Sequence, residues 1–207
     1  MVETTLARLA RQLNSRHAAR AANGRFLPPL LLMTDPARLP DPCRAAELLP
    51  AGSGVILRAY DPPELERLAH RLAAIARRRR LVLLIAIDAA LAAEVGAAGV
   101  HLPEALAGQA ASVRRRGDWL VTVAAHSLPA LRRAARAGAD AALLSPVFQT
   151  ASHPDRPPLG PHQFAALVRR AGLPVYALGG VTEVKAPLLL ASGAIGIAGI
   201  GALSARV

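Results

Sequence analysis

Short apolar runs recur along this chain, and each is followed by a segment rich in Ala, Leu and Arg with helical spacing. The runs are Leu30–Met33, Gly54–Leu57, Leu81–Ile87, Gly99–Leu102, Trp119–Val123, Ala141–Leu144, Val175–Leu178 and Ile195–Ala198. Read as strands alternating with helices such as Pro63–Arg79, Leu128–Ala137 and Pro161–Arg170, they predict right-handed βαβ units and a parallel sheet. Eight such units close naturally into a compact (β/α)8 TIM barrel, an α/β fold. An open doubly wound sheet is the alternative, but it places a Gly-rich phosphate loop after its first strand. Here that loop is Thr34-Asp35-Pro36, without glycine. Ahead of the repeat, Leu6, Leu9, Ala10 and Leu13 fall at helical spacing with arginines between them, which predicts an amphipathic helix. Residues 1–24 therefore read as a basic N-terminal helical extension ended by Gly24, and residues 25–207 as the barrel domain.

Chemistry in such a barrel is expected where strands end and βα loops begin. The run Leu173–Leu203 holds two successive strands that each end in glycine. Backbone N–H groups at Gly179, Gly180, Gly199 and Gly201 form a candidate phosphate seat, because a missing Cβ allows close approach of the ligand. His126, at the end of the fifth strand, is the candidate acid/base residue, since imidazole titrates near neutrality. Ser127 and Asp88 read as N-caps of the helices that follow them, and Asp35, before Pro36, as a turn former. Arg58 offers a planar fork of donors to a carboxylate or phosphate. His101 is expected in the barrel wall.

The chain has 207 residues, 53% of them hydrophobic, enough to bury one full core. A single Cys43 excludes an internal disulfide and any multi-cysteine zinc site. No apolar run approaches the roughly 20 residues of a membrane span, and no leader-like segment opens the chain, so a cytoplasmic protein is expected. The formal net charge is +11, almost all of it arginine, with Lys185 the one lysine. The basic clusters lie at intervals along predicted helices, and aromatics make up only 3%. That pattern fits solvated helix faces and no specific nucleic-acid partner, although charge alone gives weak attraction to polyanions.

Several pieces in order resemble the thiamine-phosphate synthase and thiazole tautomerase superfamily. They are LLLMTD, ILRAYD, VGAAGVHLPE, VAAHSLPALRRAARAGADAALLSPVFQT with the loop that follows, and YALGGV with ASGAIGIAGIGAL, spanning about Leu30 to Leu203. The resemblance implies a (β/α)8 barrel and a thiazole phosphate as ligand. Its synthase branch implies a magnesium-assisted displacement of diphosphate that joins a pyrimidine to the thiazole phosphate. Its tautomerase branch implies proton transfer on a carboxylated thiazole phosphate, without diphosphate and without an obligatory cofactor. The positions expected to hold metal and diphosphate are altered: Tyr60 replaces a lysine, Ala86 and Ile87 replace an Asn-Asp pair, Leu106 replaces an acid, and Ala124 and Ala125 replace a serine and a threonine. The family's Thr-x-Thr-Lys reads Thr150-Ala151-Ser152-His153, which leaves Thr150 and His153 as substrate-binding candidates. The expectation is therefore a tautomerase-like isomerase that uses His126, with no metal ligands, and with the synthase or a non-catalytic phosphate-ester binder as alternatives. The family's members commonly associate, so a homodimer is the expected assembly.

Overall fold

The computed structural model describes residues 4–17, 24, 26–58, 60–114, 119–150 and 157–200. Eight strands form the centre: β1 (Leu30–Met33), β2 (Gly54–Leu57), β3 (Val82–Ala86), β4 (Gly99–Leu102), β5 (Leu120–Ala125), β6 (Ala141–Leu144), β7 (Val175–Leu178) and β8 (Gly196–Gly199). Each pairs in parallel with its sequence neighbours, and β8 closes on β1 through Leu31 opposite Ala198 and Leu32 opposite Gly199. The expected (β/α)8 barrel is the fold observed. Five strands coincide with the apolar runs to the residue, and the other three shift by one or two positions at their ends. The runs are legible because strands of a parallel barrel are covered on both faces and read as continuous apolar sequence.

Among the described residues, seven α-helices accompany the strands: α1 (Thr5–His17), α2 (Pro42–Leu48), α3 (Pro62–Arg79), α4 (Ala89–Glu94), α5 (Ala110–Arg114), α6 (Leu128–Arg136) and α7 (Gly160–Val168). Helix α3 shows why they form where they do. It opens on proline, whose missing N–H costs nothing in a first turn, and carries Glu64 there and Arg77, Arg78 and Arg79 in its last turn, as the helix dipole favours. Leu68, Ala69, Leu72, Ala73, Ile75 and Ala76 form its buried stripe.

Helix α1 has a structural task. Leu6, Leu9, Ala10 and Leu13 are buried in the common core, and the Asn14 side-chain amide donates to the carbonyls of Leu27 and Ile195, both at 3.0 Å. Those two carbonyls precede β1 and β8, so α1 fastens the N-terminal end of the barrel and leaves the opposite end open. Among the described residues, no helix is long and apolar enough to cross a membrane.

Candidate active site

The C-terminal ends of the strands open onto a cavity of about 890 Å³. On its β7/β8 side, Gly179, Gly180 and Gly199 line the wall, with Thr150 close by on the loop after β6. Gly179 and Gly180 have φ of +94° and +64°, a left-handed backbone that suits glycine. A Cβ at Gly179 would stand 2.9 Å from Pro146 Cα, and one at Gly180 would stand 2.3 Å from the Gln149 carbonyl oxygen. The loop after β6 is laid against these glycines by hydrogen bonds from Val147 N–H to Leu178 O (2.9 Å) and from Phe148 N–H to Gly179 O (3.0 Å). Both glycines are therefore required by the loop packed on them. Of the other residues singled out from the sequence, His153 and Gly201 lie outside the described residues.

His126 stands at the end of β5 and lines the same cavity. Its Nδ1 lies 2.9 Å from the Ser145 carbonyl oxygen and 3.2 Å from Ser145 Oγ. A carbonyl can only accept, so that contact places the proton on Nδ1 and leaves Nε2 as the basic atom of the neutral ring. Glu104 grips the backbone beneath: its carboxylate accepts from His126 N–H at 3.0 Å and pairs with Arg133 at 2.9 Å. Ser127 caps α6 by accepting from Ala130 N–H at 3.3 Å, as its position suggests.

The β1/β2 side carries the charge. Thr34 Oγ1 accepts from Arg58 N–H at 2.9 Å and donates to Arg58 O at 3.1 Å, which locks the two strand ends together. Asp35 does form its turn, accepting from the N–H groups of Ala37 (3.2 Å) and Arg38 (3.1 Å). It also accepts from the guanidinium groups of Arg38 at 2.6 Å and Arg58 at 3.3 Å. The Arg38 hydrogen bond holds the Asp35 carboxyl below its ordinary range against the opposing effect of burial. Tyr60 extends this wall, and burial pushes its phenol up. Its hydroxyl lies beside that of Thr34, already committed to Arg58, and is left without a partner of its own, as is Arg58 Nε.

The β3/β4 side is apolar where the resemblance calls for metal ligands. Ala86 and Ile87 line it, together with His101. His101 is buried in the wall, with Nδ1 2.9 Å from Thr122 Oγ1. Burial, aided by the Arg58 charge, brings it down to about 4. Asp88 accepts from Leu91 N–H at 2.9 Å and caps α4. The described residues do not fit a magnesium site. Among them, Asp35 is held by two arginines, Asp88 by a helix end, and Glu104 by His126 and Arg133, so no two free carboxylates converge on the cavity. Among the described residues, the one His/carboxylate group compact enough to hold an ion is Glu66, His70 and Glu94, exposed on the outer helices α3 and α4.

Arg38 and Glu104 are the site residues that sequence reading missed. Arg38 follows Asp35 at i,i+3, a spacing that could have found it; Glu104 lies 22 residues from His126, and no local pattern joins them.

Residues 32–203 match the family described as thiamine monophosphate synthase (TMP-TENI). The chain belongs to that family. A protein of Aquifex aeolicus that carries a thiamine-phosphate synthase name is 40% identical over 139 residues, 66% of this chain and 74% of the relative. The thiamine-phosphate synthase of Alcanivorax borkumensis is 34% identical over 186 residues, 84% of each chain. Among solved structures, thiamine phosphate pyrophosphorylase from Pyrococcus furiosus superposes with a TM-score of 0.72 at 22% identity, over 93% of this chain and 91% of that one. At that identity the likeness speaks for the fold. The two sequence relatives carry synthase names, so the expected lean toward the tautomerase branch finds no support in them, and the transferase becomes the better-founded reading.

Proposed function

We propose that the protein is a thiamine-phosphate synthase, a transferase that joins a pyrimidine methylene carbon to the ring nitrogen of a thiazole phosphate with loss of diphosphate. The observation that carries this reading is that the matched region, residues 32–203, contains every residue lining the mouth cavity. Main-chain N–H groups of Gly179, Gly180 and Gly199 receive the thiazole phosphate, with Thr150 on the adjoining loop; Gly201 and His153 join this seat on the sequence pattern alone. Across the mouth, Arg38 and Arg58 surround one carboxylate, which leaves a net positive charge for the diphosphate. The bond from the thiazole nitrogen to the methylene carbon forms as the carbon–oxygen bond to diphosphate breaks, and the electron pair leaves on the diphosphate. The apolar remainder of the cavity keeps water from the cationic carbon. The phosphorylated substrates support a cytoplasmic reaction as part of this proposal.

The test supplies hydroxymethylpyrimidine diphosphate and thiazole phosphate and follows thiamine phosphate by chromatography, with and without magnesium. Product is expected, and Arg58→Ala slows its formation by about 10-fold or more, the loss of one charge-assisted hydrogen bond. Failure to form product under both conditions rules the synthase out.

The geometry of His126 favours a second reading, proton transfer on a carboxylated thiazole phosphate with Nε2 as the base. On that reading, His126→Ala lowers the isomerisation rate by about 10²- to 10⁴-fold. An unchanged isomerisation rate in this variant removes His126 from the mechanism.

A further inference from the structure

At the end of β3 the chain makes a costly turn. Ile87 has φ of +67°, a region that Gly, Asn and Asp enter readily and a β-branched residue does not. The turn is held by Ile87 N–H donating to His101 O at 3.0 Å and by Asp88 N–H donating to Ala86 O at 2.7 Å. Nothing in the core accounts for an isoleucine here, because its side chain is 59% exposed. It lines the mouth cavity with Leu65 and Tyr60. Strained backbone of this kind gathers at ligand sites, where the surrounding structure holds it in place.

Position decides what the side chain meets. In the closed order of eight strands, β3 lies diametrically across the barrel from β7. A ligand whose phosphate sits at Gly179 and Gly180 has to cross the cavity to reach Ile87, which a second ring beyond the first allows. We propose that Ile87 is a specificity-determining contact, the far wall against which the second ring of a two-ring monophosphate packs. This rests on the reading that the β7/β8 glycines seat a phosphate. It replaces a metal-held charge at this point of the rim with an apolar face, so binding there does not require a divalent ion.

The test measures binding of thiamine phosphate, thiazole phosphate and inorganic phosphate to the full chain, in EDTA, by calorimetry and thermal shift. Ile87→Gly and Ile87→Asn are the variants, since both residues accept the left-handed backbone. Both are expected to raise the Tm of the free protein by about 2–4 °C through relief of strain. Both are expected to weaken thiamine phosphate by about 10-fold, the loss of one buried aliphatic contact, while thiazole phosphate and phosphate change less than about 2-fold. A lower Tm in both variants overturns the strain argument. Unchanged thiamine phosphate affinity, equal weakening of thiazole phosphate, or no binding of thiamine phosphate by the wild type overturns the contact. If Ile87-dependent binding is found while the product assay fails, the synthase reading falls and this inference stands.

Discussion

The two sides of the barrel mouth are built by different means. On the β7/β8 side the wall is backbone: glycines with left-handed φ, pressed against the loop that follows β6. On the β1–β3 side it is side chain: two arginines around Asp35, a tyrosine without a partner, and an isoleucine in a strained turn. A backbone wall tolerates almost no substitution yet recognises only a simple anion, whereas a side-chain wall can be rebuilt one residue at a time. That difference suits the proposed division of labour, with the phosphate held on the first side and the ligand chosen on the second. Gly180→Ala tests the rigid side most severely. Its Cβ would meet the Gln149 carbonyl at 2.3 Å with φ at +64°, so left-handed strain and overpacking together cost about 3 kcal/mol or more. Urea denaturation reads this directly, and a variant as stable as the parent means that the loop after β6 yields easily and the wall is not rigid.

The same contrast explains what was legible beforehand. The strands and the glycines could be read from the sequence because burial on both faces and left-handed turns each leave a local mark. The caps Ser127 and Asp88 were legible for the same reason. The side-chain wall was not, since the Arg58–Asp35 pair spans 23 residues and exists only once β1 and β2 lie side by side. Ile87 shows the limit most clearly: an isoleucine after an apolar run reads as more strand, and only the folded backbone shows the turn. Helix α1 read as an addition to the barrel because its link to the core, Asn14 to the carbonyls of Leu27 and Ile195, has no signature in spacing.

His101 probes the side-chain side by pH. Its folded-state value of about 4 lies below the ordinary 6.5, so between these values the unfolded chain binds a proton that the folded one excludes. Stability is therefore full above about pH 6.5 and falls as pH drops toward 4, by up to roughly 3 kcal/mol. His101→Asn keeps a polar partner for Thr122 and removes the titration. Denaturation curves at pH 7 and pH 4.5 should show a smaller loss in the variant than in the parent. Equal losses would assign the acid sensitivity to groups other than His101.

The smallest effect bears most directly on the metal question, because Asp88 is the carboxylate next to the turn at Ile87. As a cap it accepts from Leu91 N–H, and Asp88→Ala should cost about 1 kcal/mol, or about 2–4 °C in Tm, with or without magnesium. Asp88→Asn should recover that loss, since asparagine caps as well as aspartate. Product formation should stay within about 3-fold of the parent in both variants, because the proposed anion-binding charge lies on Arg38 and Arg58. A different outcome is equally readable: if Asp88→Asn keeps its stability but loses activity that magnesium supports in the parent, the carboxylate itself is needed. The β3 end would then hold a metal after all, and the division of the mouth into a backbone wall and a side-chain wall would have to be redrawn around Asp88.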